Sequence, residues 1–220
     1  MAKCRMRFRK EEQAAYISHL DLLRTFQRAF LRAGYVIRHS QGFHPHPLIS
    51  IVLPLPVGES SLCELMDFET DGETDRDALC QALRRAVPLG ISVEECYEAV
   101  RPARELAFIE AEVTFYYDGG VPENAEAELL SLFTGKTLLI EKRTKRKENA
   151  EVDIRPMIES VSAETGEKTI TFRVTVQAQN PGLNPALLGR AAERYCPHLS
   201  PDHTEVVRLH LLDGEKCEFR

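Results

Sequence analysis

Arg24, Arg28 and Arg32 recur at every fourth position, so a helix would carry them in one stripe. Like charges at that spacing cost roughly 0.2–0.5 kcal/mol per pair in an isolated helix. Asp21 is the only acidic residue close by in sequence. Guanidinium forks fit phosphate and carboxylate oxygens, so the stripe points to an external anion. The alternative is that acidic residues from elsewhere in the fold neutralise it. Arg38 follows, and then Ser40-Gln41-Gly42-Phe43-His44-Pro45-His46-Pro47. Gly42 permits a sharp turn, and each proline drives the residue before it towards extended geometry. Such a loop holds a shape. Gln41, Phe43, His44 and His46 then offer an amide, an aromatic face and two imidazoles, a set that suits an unstacked base. The competing reading is a rigid connection with Phe43 packed in the core.

A second basic island is Lys142, Arg143, Lys145, Arg146 and Lys147, with Arg155 a little further on. Lysine-rich loops hold phosphate by charge and not by sequence; a solvated hairpin tip is the bland alternative. The chain has 220 residues and a net charge of −6. Residues 1–60 nevertheless sum to +5, which leaves −11 for the rest. Local clustering bears on a polyanion more than net charge does.

Other chemistry is not announced. The chain has no G-x-x-x-x-G-K-[ST], no G-x-G-x-x-G after a strand, no H-E-x-x-H and no G-x-S-x-G. The six cysteines (Cys4, Cys63, Cys80, Cys96, Cys196 and Cys217) form no C-x-x-C and read as free thiols. No cofactor or metal is expected. His19, His39, His44 and His46 leave open a metal-independent cleavage of RNA by imidazole. No stretch reaches the roughly 20 apolar residues of a membrane span, and no apolar leader opens the chain, so a cytoplasmic protein is expected.

The elements that must position these groups follow from periodicity. Cys4, Met6 and Phe8 alternate with Arg5, Arg7 and Arg9, which predicts a half-buried strand. Ser18 with Asp21 reads as a helix cap, and Gly34 as the stop. Tyr35–His39 reads as a second strand, Leu48–Leu55 as an extended run, Cys63–Thr70 as a strand, Asp75–Val87 as a helix and Ile91–Val100 as a strand. The order is β-α-β-β-α-β. After a connector at residues 100–104 it recurs roughly: strands at Leu106–Tyr117, Thr137–Arg143, Lys168–Ala178 and Glu205–Leu212, helices at Pro122–Phe133 and Pro185–Tyr195. The expected fold is α+β, two tandem ferredoxin-like units with antiparallel sheets, divided as 1–102 and 103–220. In this scheme the basic island and the Gly42 loop hold corresponding places, between the second and third core strands of each unit.

Tyr16-Ile17-Ser18-His19-Leu20-Asp21-Leu22-Leu23-Arg24, the Ser40–Pro47 loop, Leu53-Pro54-Leu55-Pro56-Val57-Gly58 and Glu151-Val152-Asp153-Ile154-Arg155-Pro156 together resemble the bacterial radical-SAM-associated (radical-SAM-linked) proteins. The resemblance runs over nearly the whole chain and is most specific in residues 16–58. It implies a radical SAM protein as partner and carries no catalytic residues with it. The family's loop usually has Asn where this chain has His44. The paired-unit architecture is also similar to that of CRISPR repeat-processing endoribonucleases. Their Gly-rich signature is not matched by Gln179-Asn180-Pro181-Gly182-Leu183-Asn184.

These readings converge on an expected role: a non-catalytic RNA-binding accessory to a radical SAM partner acting on rRNA or tRNA. Arg24, Arg28, Arg32, Arg38, Arg155 and the basic island would hold backbone. Gln41, Gly42, Phe43, His44 and His46 would hold a base. An endoribonuclease and a protein–protein adaptor are the alternatives.

Overall fold

The computed structural model describes residues 3–72, 74–143 and 149–220. The chain divides into two compact units, Met1–Glu105 with Arg220, and Leu106–Phe219.

In the first unit the chain order is β1 (Cys4–Lys10), a 3-10 turn (Glu12–Tyr16), α1 (His19–Arg32), β2 (Ile49–Ile51), β3 (Ser60–Phe68), α2 (Arg76–Ala86) and β4 (Ile91–Glu98). The strands lie side by side as β4-β1-β3-β2, every pair antiparallel. Cys4, Met6 and Phe8 point into the core, as their alternation predicts. α1 buries Leu22, Phe26, Ala29 and Phe30, one face of a 3.6-residue repeat. The rings of Phe8 and Phe26 meet edge to face at 4.8 Å, and those of Phe30 and Phe68 at 4.9 Å. Edge-to-face pairs of this kind contribute about 0.5–1.5 kcal/mol beyond their buried area.

The opposite face of β1 differs from the half-exposed stripe that its arginines suggest. Arg5 is fully buried, and its Nε and Nη2 donate to the two carboxylate oxygens of Asp67 at 2.6 and 3.1 Å. Lys3 joins the same carboxylate at 2.8 Å. Lys10 is also buried, with Nζ donating to the Ala15 carbonyl at 2.8 Å. Arg7 and Arg9 share Glu94 at 2.9 and 2.5 Å. Much of the positive charge of residues 1–60 is thus neutralised by Asp67 and Glu94, which lie outside that segment.

Tyr35–His39 does not form the second strand. Only isolated bridges occur there, Ile37 to Thr70 and His39 to Pro47. Prolines at 45 and 47 have no N–H to extend a ladder, and the strand that joins the sheet is Ile49–Ile51, opposite Met66–Phe68.

In the second unit, β5 (Leu106–Tyr116), α3 (Ala125–Thr134), β6 (Leu139–Arg143), β7 (Asn149–Asp153), β8 (Ile158–Thr165), β9 (Thr169–Gln177), α4 (Leu187–Tyr195) and β10 (His203–Asp213) follow one another. The sheet order is β10-β5-β9-β8, again antiparallel. Phe115, Phe133 and Phe172 form an aromatic triad with centroids 5.0–6.5 Å apart. Among the described residues β6 and β7 pair only with each other, as a separate two-stranded sheet. The Thr137–Arg143 segment is therefore not a strand of the main sheet; β8 takes that place. Around β6 only Leu138 and Ile140 are buried before charged residues begin. That is too little apolar surface for a place inside a sheet.

The basic island is thus not between the second and third core strands. It follows the unit's first helix, α3, and precedes β8. The Gly42 loop likewise lies between α1 and β2, so both segments occupy the connection from first helix to second sheet strand.

Candidate functional site

The geometry of the first unit begins with α1. Ser18 Oγ accepts from the Asp21 amide at 3.2 Å and donates to its carboxylate at 2.7 Å, so the expected cap is present. Arg24 Nη1 donates back to Asp21 at 3.1 Å. The Ser18 hydroxyl and, after it, the Arg24 guanidinium hold the Asp21 carboxyl below its usual range. Gly34 ends the helix at φ +83°.

The three helix arginines are exposed but not equivalent. Arg24 is shared with Asp21. Arg32 donates from Nε and Nη2 to the Ala86 carbonyl at 3.2 and 2.6 Å, which ties α1 to the C-terminus of α2. Arg28 has no hydrogen-bond or ion-pair partner among the described residues. Among the described residues no carboxylate approaches the stripe except that of Asp21.

The loop after α1 is closed at its base. The Ser40 amide donates to the His46 carbonyl at 2.8 Å, the His46 amide donates to Ser40 Oγ at 3.1 Å, and Ser40 Oγ pairs with His46 Nδ1 at 2.8 Å. Gly42 stands at φ +134°, a conformation that side chains rarely allow. Phe43 is 102% exposed, so the core-packed alternative for this ring is overturned. Gln41, His44 and His46 are exposed beside it. Arg38 flanks the loop and pairs with Glu69 at 3.2 Å. β2 enters the sheet opposite Phe68, the end of β3, where β1 begins and β4 ends. The loop leading into it therefore lies at the end of the unit where α1 terminates. α1 is about 21 Å long at 1.5 Å per residue, so Arg28 and Arg32 lie nearer this end than Arg24 does.

One charge feature belongs to the same stretch. Residues 22–58 contain four arginines and three histidines and no Asp or Glu. The helix body and the loop thus form a single acid-free run.

The remaining sequence candidates lie elsewhere. Arg155 donates from Nε to the Gly135 carbonyl at 3.0 Å and from Nη1 to the Ile158 carbonyl at 2.7 Å, so it braces the turn before β8. Lys142 and Arg143 have their backbone in β6, with side chains outside the described residues. Lys145, Arg146 and Lys147 lie outside the described residues altogether.

Cys4, Cys63, Cys80 and Cys196 are buried and form no disulfide. Burial pushes the thiols of Cys4, Cys96 and Cys196 up, away from the reactive thiolate. Among the described residues no group of three His, Cys, Asp or Glu is placed to hold a metal ion. A cleft of about 400 Å³ at the start of α2 is lined by Asp75, Asp77 and Glu98 together with Arg76, and one of about 560 Å³ between β6–β7 and α4 by Glu141, Glu151 and Glu193 together with Arg190 and Arg194. Sequence reasoning found the Gly42 loop but not its closing bonds, which Ser40 and His46 signal by their separation only once the loop is known to fold back.

The fold is that of a mixed α+β protein with mostly antiparallel sheet and, among the described residues, four α-helices. Among the described residues no helix is long and apolar enough to cross a membrane. Residues 3–185 match the family described as "Uncharacterized protein conserved in bacteria (DUF2344)", and the chain belongs to it. No curated protein matches the sequence. Among solved structures, a chain of the "Crystal Structure of a Cbf5-Nop10-Gar1 Complex" is similar over 94% of this chain at 12% identity, with a TM-score of 0.52. The match covers 48% of that chain, so this chain spans about half its length. A chain of the "Crystal structure of the archaeal box H/ACA sRNP Nop10-Cbf5 complex" matches over 93% of this chain and 46% of its own at 13% identity, with a TM-score of 0.45. The "Crystal Structure of an Unknown Protein from Galdieria sulphuraria" matches over 94% and 98% at 10% identity, with a TM-score of 0.27. At those two scores the likeness carries no weight, and the first shows fold alone.

Proposed function

We propose that this chain is a non-catalytic RNA-binding accessory protein that assists a radical SAM partner in RNA modification. The observation that carries the RNA part is the acid-free run of residues 22–58, in which the fold leaves Arg24, Arg28 and Phe43 in solvent. A surface that only needed solubility would intersperse both signs of charge. Arg28 contacts phosphate with its whole guanidinium, and Arg24 with the donors that its exposed ion pair to Asp21 leaves over. Gln41, Phe43 and His44 contact a base. Arg32, Arg38, Arg155 and His46 each already serve an internal bond, so in this reading they shape the surface more than they bind. Gly42 provides the turn, and Lys142, Arg143, Lys145, Arg146 and Lys147 add non-specific attraction from the second unit.

The reading treats each unit as ferredoxin-like. The strand orders β4-β1-β3-β2 and β10-β5-β9-β8 support this, with the β6–β7 hairpin as an insertion. The radical SAM partner rests on the resemblance of residues 16–58. Capture of a radical SAM protein from nuclease-treated bacterial extract supports it; recovery only from untreated extract removes it.

RNA binding is tested by titrating the protein into labelled mixed-sequence RNA at increasing salt. Affinity that falls steeply with salt is expected, because each neutralised phosphate releases counterions. No binding at low salt overturns the reading.

A further inference from the structure

We infer that the Gly42 loop is a receptor for one unpaired nucleotide, with the base lying on the Phe43 ring, so that the ligand class is single-stranded or locally unpaired RNA. This rests on the RNA-binding reading and adds to it which form of RNA is taken.

Three observations converge. Phe43 is wholly in solvent, although folding normally buries a ring of that size. Its backbone is fixed, since three hydrogen bonds between Ser40 and His46 close the loop and Pro45 and Pro47 restrict His44 and His46. The loop that carries the ring is therefore already closed when a ligand arrives, which lowers the backbone part of the ordering cost. The neighbours of the ring are also informative. A protein-docking anchor is normally ringed by further apolar contacts that exclude water. Its neighbours along the loop are Gln41, Gly42 and His44, all exposed, while His46 Nδ1 is taken by Ser40. An amide and an imidazole match the donor and acceptor edges of a base, while the ring matches its face. Residues 22–58 themselves contribute no Asp or Glu to repel the adjoining phosphates, and the carboxylate of Glu69 beside the loop is paired with Arg38.

The same geometry disfavours a duplex. In A-form RNA the base faces are covered by stacking and the major groove is deep and narrow. A ring on a closed turn reaches a base face only where a nucleotide is already unstacked, or where stacking is broken at additional cost.

The test compares a labelled single-stranded RNA with the blunt duplex made by annealing its complement, at one salt concentration. The proteins are the wild type, Phe43→Leu and Phe43→Trp. Phe43 contributes nothing to the core, so both variants keep the fold. The wild type is expected to bind the single strand about tenfold or more tighter than the duplex. Phe43→Leu loses about tenfold on the single strand, the lower range for one base–aromatic stack, and nothing on the duplex. Phe43→Trp keeps wild-type affinity, because stacking needs an aromatic face and not a particular shape. Equal binding of single strand and duplex overturns the inference and leaves RNA binding intact. So does Phe43→Leu matching the wild type on the single strand, the result expected if the ring anchors a protein. Failure of the wild type to bind either form removes the underlying reading as well.

Discussion

Arg28 and Arg32 stand one helical turn apart, yet replacing them should do different things. Arg28 has no partner among the described residues, whereas Arg32 spends two donors on the Ala86 carbonyl. Each arginine that neutralises a phosphate of a single strand contributes about 0.7 to the slope of log affinity against log salt. Arg28→Ala should therefore make that slope shallower by about 0.7. Between 50 and 200 mM salt, a fourfold change, its deficit relative to wild type should shrink by about 2.6-fold. Its thermal midpoint should not move, since nothing in the fold is lost. Arg32→Ala should leave the slope within error of wild type. It should instead destabilise the unit by about 1 kcal/mol, the usual scale for hydrogen bonds at a helix C-terminus, which lowers the midpoint by about 4 °C for a domain near 100 residues. Fluorescence anisotropy at several salt concentrations and a thermal melt give both readings from the same samples. If Arg32→Ala flattens the slope as much as Arg28→Ala, the division between binding and bracing arginines is wrong. If neither changes it, α1 does not touch the nucleic acid.

Three further outcomes follow from the packing. Asp67→Ala removes the carboxylate that holds buried Arg5, and should cost about 3–5 kcal/mol in urea unfolding, as for other broken buried ion pairs. Ser18→Ala should cost about 1 kcal/mol for the lost cap. It should also weaken the acid sensitivity due to Asp21: a carboxyl held low in the fold stabilises above its unfolded value and loses that contribution as pH falls through its folded one, so melts at neutral and acidic pH should differ less in the variant. The Tyr97 and Tyr117 hydroxyls are both pushed up to about 12, chiefly by burial. Spectrophotometric titration should show these two phenols ionising well above the ordinary value of about 10. Stability should drop as pH rises from about 10, the unfolded value, through about 12, because the fold favours the neutral phenol.

The legible parts of the chain were those whose signals are local. The alternation of Cys4, Met6 and Phe8 gave β1. Ser18 and Gly34 marked the two ends of α1, and Asp75 caps α2 through the Asp77 and Ala78 amides. What could not be read depends on distant partners. The arginines of β1 look like solvent residues until Asp67 and Glu94 fold against them, and Lys10 until Ala15 turns its carbonyl inward. Tyr35–His39 has strand-like residues but faces two prolines, and only tertiary pairing shows that Ile49–Ile51 does the joining. The β6–β7 hairpin satisfies its own backbone, so alternation alone could not tell it from a sheet strand. For the candidate site, composition singled out the loop and the stripe. Whether Phe43 points inward or outward, and which arginines are engaged, is decided by tertiary packing that neighbouring residues do not encode.

The bonds that pinch Ser40 to His46 have a consequence for variation. They isolate residues 41–45 from the sheet, since strand register is set beyond the pinch, by Ile49 opposite Phe68. Those positions form an exchangeable cassette: a homologue, or an engineer, can rewrite what the chain recognises there while the scaffold beneath stays unaware of the change.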